Sequence, residues 1–296
     1  MAEITGGPST TSDEASAPTR GSQAWRFVRR NPTLVFGLVI LLIMCVMAIF
    51  APLIAADPFS MKPVQRLRAP SDAFWFGTDQ LGRDVFARTI WGARVSLAVG
   101  ISVAVFSVLV GLVIGLFAGT VWWVEAVVMR FMDGLMAIPA ILLAIAMVSL
   151  FGASVMIVII AIVIPEVPRV VRLVRSVVLS TREQPYVEAA IAGGAPWWKI
   201  LIRHILPPTI PPLIVQATYI CASAILVEAA LSFLGAGTPP EIPTWGNMIA
   251  ADRIYLSRAP WCIFYPGVAL ALVVLAVNLV GDGLRDRLDP RIARRM

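Results

Sequence analysis

The sequence predicts an all-α integral membrane protein in which six helices cross the bilayer and both chain ends lie in the cytoplasm. Of its 296 residues, 58% are hydrophobic and only 14% are charged, and the mean hydropathy is +0.83. A soluble domain usually has about 45–50% apolar and about 25% charged residues, so this chain is too apolar for a water-solvated surface. Long apolar runs and arginine clusters near both ends indicate the spans and their directions.

The first elements are a polar tail and a membrane anchor. Residues 1–19 are mostly Ser, Thr, Gly, Pro and acidic residues, which do not bury enough apolar surface to fold, so we predict a disordered tail with a basic end over 1–33. Residues 34–56 form an uncharged run, and about 20 residues suffice to cross the hydrocarbon core. A cleaved signal peptide is the alternative, but the long polar lead and the length of the run favour an uncleaved anchor.

The remaining spans follow from further apolar runs. Residues 95–124 and 134–165 are uncharged, and the second run is too long for one crossing unless it breaks. Residues 210–234, interrupted by Glu228, and residues 259–281 give the last two spans. The number of spans is therefore five if the long run crosses once and six if it crosses twice.

Charge decides between these two counts. Cytoplasmic flanks of membrane proteins collect Arg and Lys, and arginines cluster on both the N-terminal and the C-terminal side, so the span count is even and the long run breaks at 151–154. This topology places 166–206 inside and both 57–88 and 236–258 outside. The segment 57–88 is itself fairly basic, which conflicts with the charge rule. The end clusters are Arg20, Arg26, Arg29 and Arg30, and Arg285, Arg287, Arg291, Arg294 and Arg295.

Glycine recurs at every fourth position in the second span. Gly111, Gly115 and Gly119 lie on one helical face, where missing side chains let another backbone approach closely. We predict a helix contact along this face, although glycine is also frequent in membrane helices generally.

The residue types in this sequence exclude several kinds of binding and catalytic site. Neither of the two lysines stands in a Gly-Lys-Ser/Thr sequence, so the chain cannot form a P-loop. The single histidine and the three cysteines are too scattered for a zinc site or a disulfide framework, and no basic face with interleaved aromatics would hold nucleic acid. A serine protease built from Ser154 and His204 fails because the topology separates them by about 30 Å. We expect no catalytic residue, cofactor or metal on this chain.

A short helix is predicted in the cytoplasmic segment at 182–194. Pro185 suits a first helical turn, and the Gly193–Gly194 pair supplies the left-handed conformation that ends helices. A two-turn helix is marginal in water, so another surface must hold it. An amphipathic segment lying on the inner leaflet is the alternative.

The chain after this helix becomes helical again over 195–205. Trp197 and Trp198 in this stretch suit a membrane interface. The prolines that follow predict a bend into the fifth span, and they are Pro207, Pro208, Pro211 and Pro212.

The same region resembles the EAA signature of importer-type ATP-binding cassette (ABC) permeases, which reads EAA-x3-G-x9-I-x-LP. Glu188-Ala189-Ala190, Gly194 and Leu206-Pro207 match the signature, while His204 stands where the pattern has Ile. Other motifs resemble those of the dipeptide/oligopeptide/nickel permease group and indicate its C-type subunit. These motifs are FGTDQLGRD at 76–84, LSFLG at 231–235, PTWGN at 243–247, YPG at 265–267 and NLVGDGLRD at 278–286.

The resemblance covers nearly the whole chain and implies the type I ABC importer permease fold in a bacterial inner membrane. It divides the chain into four parts. These are a cytoplasmic tail at 1–33, a first helix with an extracytoplasmic loop at 34–92, a permease core at 93–284 with a coupling helix near 183–206, and a C-terminal tail at 285–296.

The resemblance also implies partners. In such importers two homologous permeases form the pathway, two ATP-binding subunits dock beneath them, and an extracytoplasmic binding protein delivers the substrate. This chain would pair with a B-type permease, and ATP and Mg²⁺ would bind the ATPase subunits.

Glu188 would pair with a basic ATPase residue, and Gly194 would make the turn. The residues implied in ATPase coupling are Tyr186, Glu188, Ala189, Ala190, Gly194, Leu206 and Pro207.

Two further groups of residues are candidates for contact with substrate or outer partners. Glu228 is an acid within a span, which is costly, so it either lines the substrate pathway or forms hydrogen bonds near the outer surface. Gln216 and Asn278 are the other candidates for the substrate pathway. The candidates in the extracytoplasmic loop are Asp79, Gly82, Arg83 and Asp84.

Peptides are the expected substrates, because the soft or imidazole ligands usual for nickel do not cluster in this sequence. Glutathione and nickel chelates are the alternatives within the family. A membrane anchor that recruits a partner without transport is the alternative of another class.

Overall fold

The helices of this chain are seen in a computed structural model, which describes residues 31–288. The predicted disordered tail therefore lies almost wholly outside the described residues, as does the chain after Leu288. The helices are α1 (Pro32–Ile49), α2 (Ala51–Ile54), α3 (Val85–Thr120), α4 (Trp122–Met136), α5 (Ala140–Phe151), α6 (Val155–Arg182), α7 (Pro185–Ala192), α8 (Trp197–Ile200), α9 (Leu206–Phe233), α10 (Trp245–Asp252) and α11 (Trp261–Leu288). A π turn, Leu201–Ile205, joins α8 to α9.

Several of these helices have the length and composition of membrane spans. Among the described residues, α1, α3, α11 and the combined helix Trp197–Phe233 qualify, and α4 with α5 makes a fifth if the pair counts as one span. The pair is bent by 84° at its break. The helix α6 is as long as α9, but it carries Glu166 near its middle and several arginines in its second half.

The break predicted at 151–154 is present. The helix α5 ends at Phe151, and α6 begins at Val155 after Ser154, whose hydroxyl accepts a hydrogen bond from the Ile157 amide at 3.2 Å. This side-chain cap satisfies one of the amides left free at a helix start, and it separates the two helices.

The helix of the fourth span does not end at 165, where the predicted apolar run stops. Instead, α6 runs through Pro165 and Pro168 and ends only at Arg182. Each proline removes one backbone donor, but a helix packed among neighbours tolerates this loss.

Other element boundaries also differ from those predicted. The helix α3 begins at Val85 rather than at 95, because Asp84 caps it by accepting a hydrogen bond from the Phe86 amide at 2.9 Å. The boundaries predicted at 92/93 and at 284/285 fall inside α3 and α11.

The glycine face of α3 packs directly against α6, as predicted. A Cβ atom added to Gly111, Gly115 or Gly119 would lie 2.5–2.6 Å from the Cβ of a valine in α6. The opposing valines, in the same order, are Val170, Val174 and Val178. Since both sets of numbers increase together, α3 and α6 run parallel.

A second close contact joins the first and last long helices. Gly37 of α1 lies against Val280 of α11, whereas Gly283 of α11 lies against Leu34 of α1. The numbers run in opposite senses, so α1 and α11 are antiparallel. The largest hydrophobic cluster lies among α3, α6 and α9, and it includes Val103, Ile162 and Ile220.

Candidate functional site

The helix α7 has the start and the stop that its sequence predicts. Pro185 occupies its first turn, and Gly194 has a φ of +74°, which favours glycine. The Gly194 amide donates to the Ile191 carbonyl at 2.9 Å, and the Ala195 amide donates to the Ala190 carbonyl at 3.1 Å. This pair of hydrogen bonds is a Schellman motif, which satisfies the last carbonyls of a helix.

One side of α7 is anchored and the other is exposed. Val187 is only 1% exposed, and Ala190 packs against the main hydrophobic cluster. Tyr186, Glu188, Ala189 and Gly194 are exposed. A side chain at position 194 would meet no atom within 4 Å. The helix therefore exposes the carboxylate of Glu188 and the small methyl group of Ala189, and a groove on another protein could bind both.

The start of the next long helix lies beside α7. The ring centroids of Tyr186 and His204 are 6.2 Å apart, so His204 contacts α7 from the π turn. The Leu206 amide donates to the Leu201 carbonyl, which is the hydrogen bond of a π turn. Leu206 is half-buried at the start of α9, and Pro207 is exposed in the first turn. The π turn lies immediately before the four prolines that were predicted to bend this region, and α9 continues through all of them.

Arg182, the last residue of α6 before α7, connects this end of α6 to the end of α3. Its Nη1 donates to the carbonyls of Gly119 at 3.0 Å and Thr120 at 3.4 Å. These carbonyls end α3, where a cation stabilises the negative end of the helix dipole. A hollow of about 390 Å³ lies beside this contact, lined mainly by apolar side chains such as Val187, Ile200 and Ile205.

The motif predicted in the outer loop forms a compact buried turn. The Asp79 carboxylate is 2% exposed and accepts hydrogen bonds from the Leu81 and Arg83 amides and from Arg83 Nε, at 2.8, 2.9 and 2.6 Å. A Cβ at Gly82 would lie 1.9 Å from the Lys62 carbonyl oxygen, so only glycine fits there. Asp84 caps α3. Each of the four predicted residues thus has a structural role in this turn.

Two further residues, which the sequence did not single out, extend this turn into a buried charge cluster. Arg88 is 1% exposed, with Nε 3.9 Å from Asp79 Oδ2. Asp252 of α10 accepts a hydrogen bond from the Gln80 amide at 3.4 Å. Burial raises the pKa of Asp252 from 3.8 to about 6, and the charge of Asp79 adds to this rise against the opposing effects of Arg88 and Arg83.

Asp252→Asn is expected to make stability less dependent on pH. The folded-state pKa lies above the ordinary value, so the wild-type protein loses stability as pH rises from about 4 to about 6. The loss is on the order of 3 kcal/mol at neutral pH. The unfolding temperature in detergent should change less between about pH 4 and about pH 7 in the variant than in the wild type. Asp72→Asn, in the exposed part of the loop that precedes α3, should keep the wild-type change, and equal changes in both variants would contradict the assignment.

Glu228 is enclosed within the chain. It is 0% exposed, and its Oε1 accepts hydrogen bonds from the hydroxyls of Ser232, Thr244 and Thr238 at 2.9, 3.0 and 3.4 Å. Thr244 also caps α10 by accepting a hydrogen bond from the Asn247 amide at 3.1 Å. This arrangement favours the structural alternative for Glu228 over contact with substrate.

Glu228→Gln is expected to keep most of the uptake, because the amide oxygen can still accept from the three hydroxyls, while the NH2 group replaces Oε2, which has no partner among the described residues. Glu228→Leu should instead lower the amount of folded protein, since each buried unpaired hydroxyl costs about 1–3 kcal/mol. Uptake of cationic and of neutral substrates should keep the same ratio in the Gln variant. A changed ratio would favour the substrate pathway.

The other two pathway candidates lie together. Gln216 of α9 and Asn278 of α11 line a cavity of about 210 Å³, and Asp282 and Arg285 line the same cavity. Glu228 is not among its lining residues. The sequence analysis missed Asp282 and Arg285 as pathway candidates, although with Asn278 they follow the i, i+4, i+7 spacing of one helical face.

Bilayer-length helices packed through glycine faces define a multi-pass membrane protein, and a short capped helix lies exposed beside them. Residues 107–294 match the family described as the inner membrane component of binding-protein-dependent transport systems, and residues 19–70 match the N-terminal transmembrane domain of oligopeptide transport permease C. The chain belongs to this family of bacterial inner-membrane ABC permeases, as a C-type subunit. The resemblance predicted from the motifs is thereby confirmed.

Curated relatives align over almost their entire length. A probable peptide ABC transporter permease of Sinorhizobium fredii is 56% identical, covering 91% of this chain and 93% of the relative. A dipeptide transport permease of Alkalihalophilus pseudofirmus is 42% identical over 95% and 93%. A glutathione transport permease of Pectobacterium atrosepticum is 39% identical over 94% of each chain.

Proposed function

We propose that this chain forms half of the translocation pathway of an ATP-driven importer for dipeptides or oligopeptides. The second half is a homologous B-type permease, two separate subunits bind ATP and Mg²⁺, and an extracytoplasmic binding protein delivers the peptide. Support comes from the relatives named for peptide transport, which align with more than nine-tenths of the chain.

The exposed face of α7 is the observation that carries the coupling role. Val187 and Ala190 hold this helix to the body of the chain, and the Schellman motif fixes its end, while Glu188 and Ala189 remain exposed. A short helix fixed in this way moves the rest of the chain when a docked ATPase displaces it. A loosely attached helix would move alone. Arg182, the last residue of α6 before α7, then links this end of α6 to the end of α3.

We further propose six spans with both termini in the cytoplasm. The parallel packing of α3 and α6 supports this topology, because the chain must return across the membrane between them, and α4 with α5 is the only segment available. The antiparallel packing of α1 and α11 agrees with an even number of spans. The arginines at both chain ends set the direction.

The substrate pathway is proposed to run past the cavity that contains Gln216 and Asn278. Polar groups within membrane helices are costly and usually serve a pathway or a partner. The cavity adds one carboxylate and one guanidinium, from Asp282 and Arg285, to the two amides. These groups can form hydrogen bonds with a peptide backbone and with both of its charged ends.

A pull-down of the tagged chain from its native membrane in mild detergent tests the assembly. Recovery of a second permease and of P-loop ATPases, with hydrolysis stimulated by peptide-loaded binding protein, is the expected result. Recovery of the chain alone would favour the membrane-anchor alternative. Because one relative is a glutathione permease, stimulation by binding protein loaded with glutathione but not with peptides would change the substrate and keep the mechanism.

A further inference from the structure

The contact between α3 and α6 follows a regular register. Gly111, Gly115 and Gly119 each face the residue that lies 59 positions further along the chain. The residues four, eight and twelve positions before Gly111 on α3 and before Val170 on α6 continue the same two faces, because residues four apart lie above one another on a helix. The three additional pairs are Ser107 with Glu166, Val103 with Ile162, and Val99 with Val158.

Burial supports this extension of the register. Val99, Val103 and Val158 are 0% exposed, and Ile162 is 2% exposed. Ser107 is 0% exposed and Glu166 is 6% exposed, so the one polar pair is buried like the apolar pairs on either side.

Both members of this pair have an unsatisfied polar atom. Within the described part of the chain, Ser107 Oγ and Glu166 Oε2 have no hydrogen-bond partner. The other carboxylate oxygen of Glu166 accepts from Arg169 Nη1 at 2.9 Å. A buried polar atom without a partner costs about 1–3 kcal/mol, so two of them opposite each other require a common explanation.

A direct hydrogen bond between the two side chains would satisfy both, but they do not form one. A single water molecule can donate to the carboxylate and also bond the hydroxyl, and buried waters typically have about three such partners. Further acceptors lie in the same turns of α6, because Pro165 and Pro168 have no N–H for the carbonyls of Ala161 and Ile164.

We propose that one water molecule is bound between Ser107 and Glu166, in the interior of the helix bundle, and that it fixes the register of α3 against α6. A shift of one helical turn would place Glu166 opposite Val103 or Gly111, and neither side chain can bond to it or to its water. A single buried polar layer specifies register in the same way in other helix pairs. This proposal does not depend on the substrate or on the ATPase partners.

Density for the water in a cryo-electron-microscopy structure of the intact transporter, at a resolution that shows ordered water, tests the site directly. The expected result is a peak within hydrogen-bonding distance of both Ser107 Oγ and Glu166 Oε2, and its loss in Ser107→Ala. Direct contact between hydroxyl and carboxylate, or absence of the peak at a resolution that shows other buried waters, would overturn the proposal.

X-ray radiolytic footprinting gives an independent readout, since radicals formed from bound water label the buried side chains beside it. Labelling of Ile162 and Val170 should fall several-fold in Ser107→Ala. Ser96→Ala is the matched control, because Ser96 is equally buried on α3 but its hydroxyl accepts a hydrogen bond from the Trp245 amide at 3.5 Å. Equal labelling in the wild type and in Ser107→Ala would overturn the water site.

Discussion

Glu188→Lys is expected to leave the protein in the membrane at its normal level and to abolish the stimulation of ATP hydrolysis by loaded binding protein. Glu188 is exposed and forms no ion pair with any described residue, so α7 itself does not need its charge. Against a basic residue of the ATPase, charge reversal replaces attraction by repulsion. Loss of one partner from a buried interfacial charge pair costs about 2–5 kcal/mol, which is enough to uncouple the subunits.

The matched control for this variant is Glu183→Lys. Glu183 is also exposed, but it lies before Pro185 in the turn that precedes α7, so its reversal should leave stimulation intact. Gly194→Asp is a second test, because a side chain at a φ of +74° strains the Schellman turn by about 1–2 kcal/mol without any steric clash. Normal coupled uptake in Glu188→Lys or Gly194→Asp would refute the coupling role of α7.

Gly115→Leu is expected to remove nearly all folded protein from the membrane. A Cβ at this position would lie 2.6 Å from Val174 Cβ and 3.0 Å from the Val171 carbonyl oxygen, so the new side chain meets the backbone of α6 as well as a side chain. Overpacking usually costs about 1–3 kcal/mol, and an entire isobutyl group in a closed contact costs more. Membrane levels measured by immunoblot, and unfolding temperatures in detergent, would show the loss.

Two further variants test whether the loss comes from the contact between α3 and α6. Gly267→Leu should be tolerated, because Gly267 lies in α11 with no other atom within 4 Å of its added Cβ. Gly115→Ala should be only partly rescued by Val174→Ala, which removes Val174 Cγ1 at 2.8 Å but keeps Val174 Cβ at 2.6 Å. Equal protein levels in Gly115→Leu and Gly267→Leu would show that α3 and α6 do not pack as closely as described.

The helix α7 was the part of the structure most completely predicted from sequence. Its start at Pro185 and its stop at Gly194 depend on local backbone chemistry, and local chemistry is visible in a single sequence. The break before Ser154 and the glycine face of α3 were predictable for the same reason. The glycine face indicated a contact, but its partner helix could not be identified from α3 alone.

The extent of α6 differs most from the predicted apolar run. The uncharged run stops at Pro165, but α6 continues through Glu166 and Pro168 to Arg182 and packs against α3. The spacing of Val170, Val174 and Val178 repeats the spacing of the three glycines, and this match was the available signal. The site of Glu228 depends on Thr238 and Thr244, which are distant in sequence and reach it only through the fold of the loop.

The parallel pairing of α3 and α6 imposes an order on the synthesis of the protein. Two neighbouring parallel helices cannot form a hairpin as they leave the ribosome, so α3 must wait until α4 and α5 have been inserted. During that interval its glycine face is covered by lipid instead of protein, and the main helix contact of the bundle does not yet exist.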